Sequence, residues 1–275
     1  VASKIPDSFR DMDPDALERG VARAARIVDM LGRDDRVIAG TATSLRGDAQ
    51  VAGDVTAPAL GDAARAIIDI AMRDDDRPLF YCAGGGLADL ATAYLHEPRI
   101  AGRLTLVWIG GPGYDVDAGA DERPTEFNTT IDPVAAGVVF ASPIEIWQVP
   151  ETTYAQCLVS WAELQRTVAP VGPLAAHLVT TQREFAERFS AMLGVDLGET
   201  VVLGDSPLAL LTALRGPFRA EPSSSPSQRR TRRAILPDAS YGAELDALPP
   251  VRVFTAIDVR LMLGDLIAKL RGVGA

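Results

Sequence analysis

Glu126 and Asn128 stand on either side of a phenylalanine in PTEFNTTIDPVAAGVVF (124–140), and no other pairing in the chain has more to offer chemically. In an extended stretch, side chains two apart point to one side. A carboxylate acceptor and an amide would then share a surface, a combination that suits the hydroxyls of a sugar. A plain polar loop is the competing reading. Further along the same stretch, Asp132 is placed to cap a helix and Pro133 to take its first position.

Other stretches carry less. GGGLADL (84–90) follows an apolar run and opens a helical pattern, where the glycine fingerprint of a dinucleotide fold would lie. Asp89 stands at the third glycine's place, however, and close strand-to-helix packing is the better account of the glycines. LGDSPLALL (203–211) offers Ser206, but a serine nucleophile needs a base. His96 and His177 both precede it, and neither has an acidic partner close in sequence. With Cys82 and Cys157 equally scattered, zinc ligation is not indicated. FRDMDPDAL (9–17) crowds Asp11, Asp13 and Asp15 around Pro14. A cation site of that kind follows an apolar strand, whereas residues 1–10 read VASKIPDSFR. The stretch is instead a helix start, with Asp13 as cap, Pro14 at the first position and Asp15 in the first turn against the positive end of the dipole.

The elements that must hold these residues follow from periodicity. Leu17, Val21, Ala24, Val28 and Leu31 form a helical stripe that closes at Gly32. RVIAG (36–40) reads as a short strand, 61–73 as a helix, PLFYCA (78–83) as a strand and 87–95 as a helix. RLTLVWIGG (103–111) repeats the strand signal without polar alternation, as a parallel strand covered on both faces would. A helix over 132–140, a strand over 144–149, helices through much of 151–193, a helix from 205 to 214, and a strand followed by a helix over 251–270 complete the pattern. Alternating strands and helices predict one α/β domain over 1–275, a mostly parallel, doubly wound Rossmann-like sheet covered by helices, with its ligand crevice at the carboxyl ends of the strands. AEPSSSPSQRRTRR (220–233) reads as a flexible surface loop.

Of the 275 residues, 47% are hydrophobic and 23% charged, the balance of an ordinary globular chain. A net charge of −10 argues against a nucleic-acid partner. The sequence has no uncharged apolar run of the ~18 residues that a membrane span needs, and no signal-peptide order. Two cysteines in apolar runs suit a reducing cytoplasm.

Taken together and in order, these stretches resemble the inosine-uridine nucleoside hydrolases. TEFNTTIDPVAAGVVF resembles that family's Ala-Glu-Phe-Asn…Asp-Pro-x-Ala-Ala segment. GGGLADLATAYLHEPRIAGRLTLVWIGG is similar to its Gly-Pro-Leu-Thr-Asn-Leu-Ala helix and the strand ending in Met-Gly-Gly. LGDSPLALL stands where the family has His-Asp-Pro-x-Ala, and residues 251–270 match its closing strand and helix. The similarity runs from about residue 13 to the carboxyl terminus. It implies cleavage of the N-glycosidic bond of ribonucleosides with a Ca²⁺-bound water, with Asp205 and the Gly84 carbonyl on the metal and Glu126 and Asn128 on ribose hydroxyls. It also implies a small-molecule nucleoside or ribosyl ligand and a homodimer or homotetramer.

The chain departs from that pattern in ways that leave two readings open. The family's amino-terminal Asp-x-Asp-x-Gly-x-Asp-Asp turn, which supplies further metal ligands and the general base, has no counterpart in this sequence. Gly204 replaces the histidine before the late aspartate, Ala120 replaces an asparagine eight residues before Asn128, and Ala88-Asp89 replaces Thr-Asn. Asp205 and one carbonyl fall short of the about 6 to 8 oxygens that Ca²⁺ takes. Either the first strand and its turn lie outside the given sequence, together with the base, or the chain is a diverged, non-catalytic relative that binds a ribosyl ligand or serves as an assembly subunit.

Overall fold

The apolar runs at 78–83, 103–111 and 144–149 become strands β1 (Phe80–Ala83), β2 (Thr105–Ile109) and β3 (Glu145–Val149) in the computed structural model of the chain. The structure describes residues 15–41, 43–45, 55–114, 126–194, 196, 198–214 and 224–273. β4 (Leu158–Ser160) and β5 (Thr200–Val202) form a separate antiparallel pair. β6 (Ser227–Arg230) comes next, followed by the antiparallel pair β7 (Arg233–Ile235) and β8 (Tyr241–Glu244), and finally β9 (Val251–Phe254). The main sheet has the order β1-β2-β3-β9-β6. Its first four strands are parallel, and β6 closes one edge antiparallel to β9.

β2 shows why this sheet is covered on both sides. Leu106, Val107, Trp108 and Ile109 are all buried. Successive side chains leave a strand on opposite faces. Leu106 and Trp108 accordingly join one cluster with Leu90, Ala91, Val139 and Phe140, from the helices Ala88–His96 and Pro133–Phe140. Val107 and Ile109 join another with Leu210, Leu211 and Met262, from the helices Pro207–Ala213 and Val259–Arg271. This is the doubly wound, mostly parallel α/β arrangement that the alternating pattern predicts. Trp108 is its largest fully buried side chain; it donates from Nε1 to Gly85 O at 2.9 Å and meets the Phe140 ring edge-on at 5.7 Å between centroids.

Three local expectations change. The first helix spans Ala16–Met30 with Asp15 at the cap position, its carboxylate 3.7 Å from Arg19, while Asp13 and Pro14 lie outside the described residues. Residues 36–40 are not a strand: among the described residues no strand pairs with them, and a ladder needs a partner. Instead, two carboxylates dock this part of the chain. Asp89 Oδ1 accepts the Thr41 N–H and Asp132 Oδ2 the Leu45 N–H, each at 2.9 Å.

Part of the segment read as a flexible loop is β6, and Arg232 within it is fully buried. Its guanidinium donates to the carbonyls of Phe140, Ser142, Ile144 and Pro249. Three of these carbonyls lie at the end of the helix Pro133–Phe140 and just beyond it, where helix carbonyls lack partners and a planar five-donor fork can collect several at once. Among the described residues, no helix is long and apolar enough to cross a membrane.

Candidate functional site

Glu126 does not lie in an extended stretch, so the side-by-side display with Asn128 is not what forms. It is the N-cap residue of a short helix, Phe127–Ile131, and its buried side chain turns back over that helix's first turn. Oε1 accepts the Asn128 N–H at 2.9 Å and the Tyr154 O–H at 2.8 Å. Oε2 accepts the Thr129 N–H at 2.9 Å, the Thr129 O–H at 2.6 Å and the Gly111 N–H at 2.8 Å. A buried carboxylate is tolerable only when its lone pairs are filled in this way. Gly111 meets it from the carboxyl end of β2 with φ +88°, a conformation in which a side chain is strained. The Asn128 Nδ2 donates to Ile109 O at 2.8 Å, at the same strand end. Its amide oxygen is bound by no described residue.

Tyr154 ends the helix Glu151–Tyr154, which leaves β3 through Pro150. While its hydroxyl holds Glu126, its ring lies beside Gly204: a β-carbon built on Gly204 would stand 3.2 Å from Tyr154 Cδ2. Asp205 follows, two residues before the helix Pro207–Ala213. Its carboxylate presses on Gly84, directly after β1, so that a β-carbon at 84 would come within 2.8 Å of Asp205 Cγ and Oδ1. A side chain at 84 would thus displace the carboxylate from its present place. The contacts run without a break from Glu126 through Tyr154 and Gly204–Asp205 to Gly84, across the carboxyl ends of β1, β2 and β3.

The electrostatics follow from this crowding. Partial desolvation pushes the Asp205 carboxyl upward from its ordinary value, although the residue as a whole is exposed. Burial, and then the negative charges of Glu126, Glu151 and Asp205, push the Tyr154 phenol well above its ordinary range, so it stays a donor at any working pH. The Asp205 carboxylate lies against Gly84. Among the described residues, however, no three histidine, cysteine, aspartate or glutamate side chains converge to hold an ion. These residues alone therefore do not make a calcium site.

The structure brings Asp205 against Gly84 and joins Glu126 to the Asp205 segment through a residue that sequence reasoning passed over. Tyr154 sits in a four-residue helix with no periodic signal. Thr129, a fully buried donor to Glu126, was hidden in a stretch read as extended. Asp132 caps its helix through the Ala135 N–H as expected, and its second oxygen holds Leu45, which no local pattern announces. His96 Nε2 contacts Pro58 O at 2.8 Å, which ties it to a neighbouring loop.

A helix-covered, mostly parallel sheet with polar groups gathered past its strand ends defines a doubly wound α/β protein. The model of the inosine-uridine preferring nucleoside hydrolase family matches residues 15–261, and the chain belongs to that family. It is 40% identical over 83 residues to the inosine-uridine preferring nucleoside hydrolase of Crithidia fasciculata, covering 30% of this chain and 25% of that one. With the enzyme of the same name from Leishmania major it shares 34% over 110 residues, 40% of this chain and 34% of the other. The chain thus spans between a quarter and about a third of the length of the curated relatives it matches. Its fold is like that of a purine-preferring ribonucleoside hydrolase from Gardnerella vaginalis, with a TM-score of 0.69 at 19% identity over 93% of this chain and 86% of the other.

Proposed function

We propose that the chain is an N-ribosyl hydrolase that cleaves the N-glycosidic bond of a ribonucleoside. The observation that supports this most is the continuous line of contacts from Glu126 through Tyr154 to Asp205 and Gly84, in a member of a nucleoside hydrolase family. Cleaving that bond leaves positive charge on the sugar, and acceptors fixed beforehand around the ring lower its energy. Asp205 and the Asn128 amide oxygen, bound by no described residue, are such acceptors, while Glu126, its lone pairs filled from within the protein, would hold the ribose side of the crevice in place rather than bond the sugar hydroxyls itself. Asp205 and the Gly84 carbonyl would be two donors to Ca²⁺, a hard cation that lowers the pKa of a bound water. The other donors would have to come from outside the described residues. The substrate is a small nucleoside, the assembly a homodimer or homotetramer, and the compartment the cytoplasm, in keeping with cysteines that are both free thiols.

A second reading, a relative that binds a ribosyl ligand without cleaving it, is favoured by one feature. Gly204 leaves no side chain at that position, and the Tyr154 ring packs against it. Inosine and uridine turnover, measured on the full chain with and without added Ca²⁺, separates the two. Hydrolysis that rises with Ca²⁺ in the parent and is lost in Asp205→Asn supports the enzyme. Ribose binding without turnover at any Ca²⁺ concentration supports the non-catalytic relative. Unchanged Ca²⁺ affinity in Asp205→Asn refutes the ligand assignment.

A further inference from the structure

The space beside Asp205 is filled from the opposite side of the crevice. A β-carbon at position 204 would meet Tyr154 Cδ2 at 3.2 Å and Val202 Cγ1 at 3.4 Å, so the tyrosine ring and the valine stand where a side chain at 204 would begin. The far end of that ring carries the hydroxyl that donates to Glu126 Oε1 at 2.8 Å. Tyr154 is therefore held at both ends.

The other donors to Glu126 differ from this one in origin. Gly111 belongs to the end of β2, and Asn128 and Thr129 to the helix that Glu126 itself caps. Those bonds fix the carboxylate relative to β2. Among the described residues, only the Tyr154 O–H ties it to the side of the crevice that carries Asp205. We propose that Tyr154 is a positioning residue: it takes the ground that a larger side chain at 204 would hold, and it sets the spacing between Glu126 and Asp205. The catalytic consequence rests on the N-ribosyl hydrolase reading, whereas the positioning is a property of the free protein.

Tyr154→Phe keeps the ring against Gly204 and removes only the tie. A hydrogen bond to a charged group contributes enough that kcat for inosine should fall roughly tenfold or more. KM should change little, because the interaction acts on alignment. Gly204→Ala makes the ring give by a few tenths of an ångström at the other end, so it should lower kcat by a smaller factor, and the double variant should be no worse than Tyr154→Phe alone. A ring that served only as packing would leave Tyr154→Phe at parental kcat, and that result overturns the proposal. Tyrosine labelled with ¹³C at Cζ gives a readout that needs no turnover. At pH 7 the position of the Tyr154 signal, identified by its loss in Tyr154→Phe, should differ between the parent and Glu126→Gln, because a charged acceptor is exchanged for a neutral amide. An unchanged signal position overturns the proposal. If the parent does not hydrolyse inosine, the hydrolase reading fails, and the Cζ comparison still decides whether Glu126 and Tyr154 are linked.

Discussion

Replacing Glu126 by glutamine keeps its size and shape and changes one oxygen into an NH₂ group, which makes it a sensitive probe of the buried cap. The amide nitrogen must take one of two places. At Oε2 it would face the Gly111 and Thr129 N–H groups, which cannot turn into acceptors. At Oε1 it faces the Asn128 N–H and the Tyr154 O–H, and the hydroxyl can rotate to accept. The glutamine therefore settles with nitrogen at Oε1. It loses the Asn128 bond and turns the three bonds at Oε2 from charge-assisted into neutral ones. Each such conversion costs under about 1 kcal/mol and the lost bond about 1, for a total of roughly 2 kcal/mol. With a urea m-value of about 3 kcal/mol/M for a chain of this size, the midpoint should fall by roughly 0.7 M. Glu126→Ala, which also orphans the buried Gly111 and Thr129 donors, should cost about twice as much. The check is equilibrium urea unfolding followed by circular dichroism and tryptophan fluorescence together. A glutamine variant with an unchanged midpoint would show that this carboxylate is not the ionised hub of five hydrogen bonds.

Burial raises the Asp205 pKa, so the folded chain holds that proton more tightly than the unfolded chain does, and stability falls as pH rises from the unfolded carboxylate pKa through the folded one. In calcium-free buffer Asp205→Asn should therefore melt above the parent at pH 7 and level with it below about pH 4; a lower melting temperature at pH 7 contradicts this. Arg232→Lys keeps the charge but cannot reach four carbonyls, and should lower stability by roughly 2 kcal/mol or more in urea unfolding. Burial pushes the Cys157 thiol up to about 11 and leaves it 1% exposed, while Cys82 is exposed with a smaller upward shift. A thiol reagent at pH 8 should therefore modify Cys82 in the native protein and Cys157 only after unfolding, as counted by intact mass.

The parallel strands were legible because β1, β2 and β3 are apolar runs that need no alternation once helices cover both faces. β6 was not, because Ser-Gln-Arg-Arg carries no strand signal and becomes a strand only by pairing with β9. The opposite error at 36–40 has the same root, a β-prone run without a neighbour to bond. Glutamate is a less usual cap than Ser, Thr, Asp or Asn, which is why Glu126 read as part of an extended pair. The approach of Asp205 to Gly84 could be anticipated from the order of stretches shared with the family, since nothing local to either residue announces the other. Tyr154 lies 28 residues from Glu126, and a hydrogen bond of that span leaves no trace in composition or period.

The donors around Glu126 come from positions 111, 128, 129 and 154, so this acid cannot be fully solvated by protein until the segment after β3 has docked. A chain that stops short of Tyr154 lacks one of the five hydrogen bonds this carboxylate receives in the folded protein. The Gly111 amide donates to that same carboxylate, so its deuterium uptake should report the opening of the whole Glu126 cluster rather than the fraying of β1 from β2.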